Sequence, residues 1–155
     1  MYVRASLRMQ GVMYTACVRS LLTYGAETWA MKAGVFQRLR ATKRRMLRMI
    51  CGVTLKDMAE STVIASRVGV DNLEEHLRQK RLRWFGHTAR RDEEGEIKKV
   101  FELKIEGQRK RGRPVKRWID VVEEDMKKRR VVQQGAGYRE GWRRSSERTG
   151  RAPIN

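Results

Sequence analysis

Cysteine is scarce in this 155-residue chain: Cys17 and Cys51 stand alone, with no CxxC pair and no Cys/His cluster around either. A zinc site is therefore not expected, and both thiols read as reduced, buried side chains. Histidine is equally sparse. His76 and His87 fall on one predicted helix, where a rise of about 1.5 Å per residue sets them roughly 16 Å apart, too far to share a metal ion. Long apolar runs are missing as well, because Arg4, Arg8 and Arg19 interrupt the most apolar region. This excludes a membrane helix of about 20 apolar residues there. The opening Met1-Tyr-Val-Arg4 leads into no signal-peptide hydrophobic region, so the chain is expected to be intracellular, with no membrane partner.

Acids are outnumbered two to one. Eighteen Asp and Glu face 36 Lys and Arg, for a formal net charge of +18 and a pI near 10.9. None lies between Thr28 and Lys56 or between Leu77 and Arg91, and solubility alone does not require faces of one sign. Such a surface attracts polyanions, nucleic acid above all. At 18.2 kDa the chain fits one domain or two small ones with a modest core. It carries no P-loop, GxSxG or HExxH sequence. Glu123, Glu124 and Asp125 are consecutive, so on a helix they radiate in different directions and read as a solvated face rather than a metal site. No catalytic residue, metal or cofactor is expected.

What is present is helical patterning. Between Tyr2 and about Met31, Met9, Val12, Met13, Ala16, Cys17 and Tyr24 fall on one side of a helix, with Val18 and Leu22 on another. That pattern predicts burial on two sides, with a bend or end at Gly25. From Val35 to Ile50, the residues Val35, Phe36, Leu39, Met46, Leu47 and Ile50 share one arc. Arg38, Arg40, Arg44, Arg45 and Arg48 take the rest, so one face is core and the other cationic. Lys43, inside the apolar arc, is expected to lay its methylenes on the core and extend its ammonium outward. Gly52 is a natural stop.

Ser61 is placed to cap a short helix to about Arg67, closed by Gly69. Asp71 and Glu74 have capping-box spacing for a helix to about Arg90 that carries Leu73, Leu77 and Trp84 on one side and Leu82, Phe85 and Ala89 nearly opposite. Gly86, in its middle, suits close approach of another backbone. Residues 100–105 alternate apolar and polar in the manner of one short strand or hairpin arm. Pro114 is suited to the first position of a helix with Trp118, Ile119, Val122 and Met126 inward. Residues 133–137 read as a linker and 138–148 as a last, frayed basic helix.

Basic clusters recur at Arg38–Arg48, Arg78–Arg91, Arg109–Arg117 and Arg139–Arg151, each with aromatic residues in or beside it. The rings read foremost as core, since large aromatics mostly supply buried area, and the charges as phosphate contacts. Arg111-Gly-Arg-Pro114 also matches the core of an AT-hook, in which an extended Gly-Arg-Pro lies in a narrow A·T minor groove. The competing reading is a phosphate-binding turn that opens the Trp118 helix.

Four segments in order, Leu21-Leu-Thr-Tyr-Gly-Ala-Glu-Thr-Trp29, Lys43-Arg-Arg-Met-Leu-Arg-Met-Ile50, Arg81-Leu-Arg-Trp-Phe-Gly-His87 and Lys110-Arg-Gly-Arg-Pro-Val-Lys-Arg-Trp118, resemble the region after the polymerase core in non-LTR (LINE-type) retrotransposon reverse transcriptases. The resemblance covers the thumb and the basic segment beyond it, from about Tyr2 to Trp142. It implies a mainly α fold, a thumb-like helical bundle over residues 1–55, a basic helical post-polymerase segment over 56–132 and a frayed basic tail over 133–155. It also implies a template-contacting part of an RNA-directed DNA polymerase. The family's Tyr-Ala-Asp-Asp type aspartate pair is absent from this sequence, and Met1 falls inside the family's pattern, so the chain reads as a fragment without the catalytic palm.

The expected nucleic-acid contacts are Arg40, Arg44, Arg45 and Arg48 on the thumb-like helix, Arg81 and Arg83, and then Arg111, Arg113, Lys116 and Arg117. Trp29, Trp84 and Trp118 are assigned to packing, with Trp84 the candidate for base stacking, and His87 to a hydrogen bond in the core. The expected partners are RNA and/or DNA through phosphates, together with the polymerase core, and the expected location is nuclear. Two other classes stay open: a small DNA-binding module using the AT-hook-like segment, and a basic interaction scaffold.

Overall fold

The computed structural model describes residues 5–91, 99 and 116–147, and these residues are mainly α-helical with no strand among them. Residues 100–105, Arg111, Arg113 and Pro114 lie outside the described residues. Helix α1 is α-helical over Leu7–Met13, π-helical over Tyr14–Arg19 and α-helical again over Ser20–Leu22. It is followed by α2 (Ala33–Cys51), α3 (Ser61–Val68), α4 (Leu73–Ala89), α5 (Trp118–Arg129), a 3-10 turn (Gln133–Gly137) and α6 (Arg139–Glu147). The described residues fall into two compact units, one drawn from Met1–Gly25 and Met31–His76, the other from Ala26–Ala30 and Leu77–Asn155.

The first unit packs Tyr14, Leu47, Ile64, Val68 and Val70 into one core, with Val18, Met46 and Ile50 against it. Ser6 starts α1 by accepting the Met9 amide, satisfying one of the orphan donors of a helix start. The Thr23 hydroxyl, fully buried, ends it by donating to the Arg19 carbonyl at 2.8 Å. Glycines at positive φ close α2 and α3: Gly52 (φ 67°) and Gly69 (φ 73°) let the Val53 and Val70 amides fold back to the Arg48 and Ala65 carbonyls. This is the Schellman arrangement, which needs a left-handed residue.

Three sequence expectations change here. Met9, Val12, Met13 and Tyr24 are 55, 62, 58 and 87% exposed, so α1 buries only its Gly11, Tyr14 and Thr23 side. The reason is that α2 and α3 offer it one core, not two. Cys17 lies on that open side and is exposed, while Cys51 is half-buried, and both are free thiols. The cap of α4 is Asn72, not Asp71: its Oδ1 accepts the Glu74 amide at 2.8 Å. The Asp71 carbonyl instead accepts the Lys43 ammonium.

In the second unit Leu82, Phe85, Val122, Met126, Ala136 and Trp142 form the core. Each fully buried aliphatic side chain there contributes about 1.5–3 kcal/mol. Trp118 lies beside the cluster and its indole donates to the Glu27 carbonyl at 2.6 Å, tying the Ala26–Ala30 segment to α5. Helix α5 starts at Trp118, four residues beyond Pro114, because Arg117 and Asp120 make its capping box. The segment read as a frayed basic end is anchored at Trp142, which is 4% exposed and donates to the Leu82 carbonyl at 2.8 Å.

Candidate nucleic-acid interface

Helix α2 separates its faces as the pattern requires. Leu47 is 2% exposed, whereas Arg38, Arg40, Arg44 and Arg45 are all exposed and no acid is interspersed. Arg40 stands 3.7 Å from Glu74 with both side chains half in solvent, a pair worth little net energy, and its guanidinium lies 5.8 Å above the Phe36 ring. Arg48 differs from its neighbours: it is half-buried, and its Nε is enclosed without a hydrogen-bond partner.

Arg40, Lys43 and Arg44 line one cavity of about 390 Å³ together with Ile64, Ala65 and Val70. Burial, and secondarily Arg19, pull the Lys43 ammonium below its ordinary value, while Asp71 acts the other way. Lys43 is thus half core and half contact, with its ammonium spent on the backbone.

In the second unit the structure divides the expected contacts. Arg81 donates to the Asp125 carboxylate at 2.7 Å and Arg78 reaches the same carboxylate at 3.3 Å. Asp125 is 3% exposed, so it departs from the solvated face read for the run Glu123, Glu124 and Asp125, of which only the first two are exposed. A buried carboxylate needs this full set of donors. Arg81, whose side chain is 11% exposed, is committed to the fold.

Lys116 pairs with Glu124 and Arg117 with Asp120 on the surface. Glu124 is held below its usual range first by the Lys116 hydrogen bond, and Asp120 first by the Arg117 amide.

Arg83 is exposed and lines a second cavity, of about 590 Å³, walled by α4, α6 and Glu27. Lys80, Trp84, His87 and Arg90 line it from the same side as Arg83, and Arg139 and Arg143 from α6. The Trp84 and His87 rings stand 5.7 Å apart at 36°, and His87 is exposed, not a core donor. This grouping was missed as a site, although its signal is in the sequence. Positions 80, 83, 84, 87 and 90 share one helical stripe, legible when the period is sought among cations and rings rather than among apolar residues.

Compared with known proteins, the chain is similar to an uncharacterised transposon-derived protein of Caenorhabditis elegans, 27% identical over 120 residues. That match takes in 74% of this chain and 43% of the relative, so the chain spans less than half of that protein's length. No family model and no solved structure matches. Among the described residues no helix is long and apolar enough to cross a membrane.

Proposed function

We propose that this chain is the thumb and post-polymerase portion of a LINE-type reverse transcriptase, binding RNA and DNA through their phosphates in the nucleus and contributing contact rather than catalysis. The observation that carries this reading is α2, a helix with Leu47 in the core and Arg38, Arg44 and Arg45 exposed. Acids are absent along its entire length and beyond it at both ends. A face of one sign on a rigid element follows a polyanion backbone without reading bases. The similarity to a transposon-derived protein and the four ordered motifs support the same origin.

The test is a set of charge-removing variants. Arg44→Gln and Arg45→Gln together should lower the slope of log affinity against log salt by about one unit per lost phosphate contact, equally for unrelated duplexes. Arg81→Gln should leave that slope alone, because its guanidinium faces Asp125. Unchanged slopes in the double variant would refute the assignment of α2. The chain should neither extend a primer nor cut nucleic acid when supplied with template, primer, dNTPs and magnesium. Extension above a mock preparation would refute the non-catalytic role.

A further inference from the structure

The cavity that Arg40, Lys43 and Arg44 share with α3 differs from the open cationic face of α2, because its lining divides by burial. Leu47, Ile64, Val70 and Leu73 are 2, 3, 7 and 5% exposed, so its depth is aliphatic, while Arg40 and Arg44 are exposed and stand at its mouth. Its volume of about 390 Å³ falls within the range of ligand sites, on the order of 300–1,000 Å³. Of the three cations, two remain available. The Lys43 ammonium is spent on the Asp71 carbonyl, whereas Arg40 meets Glu74 only across 3.7 Å with both side chains half in solvent, and Arg44 has no ion pair among the described residues. An exposed pair like Arg40 and Glu74 contributes little, so a better-placed carboxylate can replace Glu74.

We propose that this cavity seats one aliphatic side chain from an acidic segment of a protein partner, with the carboxylates beside that side chain held by Arg40 and Arg44. Charge complementarity points to such a partner. No acid lies between Thr28 and Lys56, and a second copy of a chain with net charge +18 would bring like charge to the same place. The aliphatic depth decides against nucleic acid as the occupant. None of the described lining residues is aromatic, so an inserted base finds no ring on which to stack, and a phosphate drawn down onto Leu47, Ile64 and Val70 would lose its hydration without a partner. A Leu or Ile side chain gains from that surface what it gains in a protein core.

The experiment titrates the full chain with a blocked acidic peptide, Asp-Glu-Leu-Glu-Asp, and with the same peptide carrying Ser for Leu, so that charge is equal and only the aliphatic anchor differs. Wild type should prefer the Leu peptide by roughly tenfold or more, the order expected for burying one aliphatic side chain. Methyl resonances of Ile64 and Val70 should shift with the Leu peptide and stay in place with the Ser peptide. Ala65→Phe, which puts a ring into the cavity from a lining position, should abolish the preference while duplex affinity stays within about twofold of wild type, which also shows that the variant folds.

Arg44→Gln should weaken both peptides by the same factor and leave the preference for Leu intact. Equal wild-type affinity for the two peptides, or none for either, overturns the proposal. So do Ile64 and Val70 methyls that stay in place when the Leu peptide binds, or a preference that survives in folded Ala65→Phe. An oligothymidylate that shifts the same methyls makes nucleic acid the occupant and overturns the protein partner. Preference for the Leu peptide in a chain with no affinity for duplex upholds the cavity and removes only the phosphate reading of α2.

Discussion

The indole of Trp142 occupies the space where a side chain on Gly86 would stand: a Cβ built at position 86 would fall on the ring atoms Cδ1 and Nε1. Across this contact α6 docks on α4, with the Trp142 ring 5.8 Å from that of Phe85. The sequence marked Gly86 for close approach of another backbone, and the structure places a side chain there instead, from a residue more than fifty positions away in a segment that reads as a tail.

Gly86→Ala should therefore destabilise the chain even though Ala is the better helix former by about 1 kcal/mol. Overpacking costs about 1–3 kcal/mol, and Trp142→Ala, which empties the site, should cost about 3–5 kcal/mol. Denaturant unfolding measures both. A Gly86→Ala variant more stable than wild type would place the indole elsewhere.

Asp125 holds two arginines at once. Removing it in Asp125→Ala leaves the Arg78 and Arg81 guanidiniums, 16 and 11% exposed, without their carboxylate, and loss of one side of a buried pair costs about 3–5 kcal/mol. Stability measured against Glu123→Ala, an exposed position on the same helix, should show the contrast, the control staying within about 0.5 kcal/mol of wild type. Equal effects at the two positions would count against the buried cluster.

Position by position, the sequence disclosed what depends on near neighbours and missed what depends on distant ones. The two faces of α2, its stop at Gly52, the closing of α3 at Gly69 and the inward stripe of α5 were legible, because period and turn chemistry are local. Asp125 was not, since its burial is decided by Arg78 and Arg81, more than forty residues upstream. The outward side of α1 was misread for the same reason: Met9, Val12 and Met13 have the spacing of a core stripe, and only the number of packed neighbours decides whether it is covered. Of the candidate contacts, the exposed arginines of α2 could be named from charge alone. The grouping of Lys80, Arg83 and Arg90 with Arg139 and Arg143 required knowing that α6 turns back onto α4.

The uncovered side of α1 should limit solubility, because a contiguous apolar patch is prone to association. Replacing Met9 and Met13, each more than half exposed, by Lys should raise the concentration at which the chain stays monomeric and change stability by no more than about 0.5 kcal/mol. Light scattering and thermal unfolding read the two effects. Loss of stability instead would show that this side is packed.

Two carboxylates that accept backbone amides, Asp57 from Thr54 and Asp120 from Arg117, respond to acid. Asp57 is held below its ordinary 3.8 by the Thr54 amide first and the Thr54 hydroxyl second, and Asp120 by the Arg117 amide first. A carboxyl with a depressed folded pKa stabilises the fold fully above its unfolded value, and that contribution disappears as pH falls through the folded one. The Thr54 and Arg117 amide resonances should therefore hold their positions at neutral pH and move only below about 3.8, and Asp120→Asn should remove the Arg117 transition. A midpoint above 3.8 for either amide would reverse the sign and contradict these hydrogen bonds.

The proposed binding of nucleic acid through phosphates stands or falls on the salt dependence of wild-type affinity. Duplexes of unrelated sequence, a hairpin RNA and an RNA–DNA hybrid would be titrated at several salt concentrations. If about six phosphates are neutralised, affinity should fall on the order of 10³-fold between roughly 50 and 200 mM salt, alike for unrelated sequences. An affinity independent of salt, or none for any of these ligands, would contradict phosphate binding by this chain.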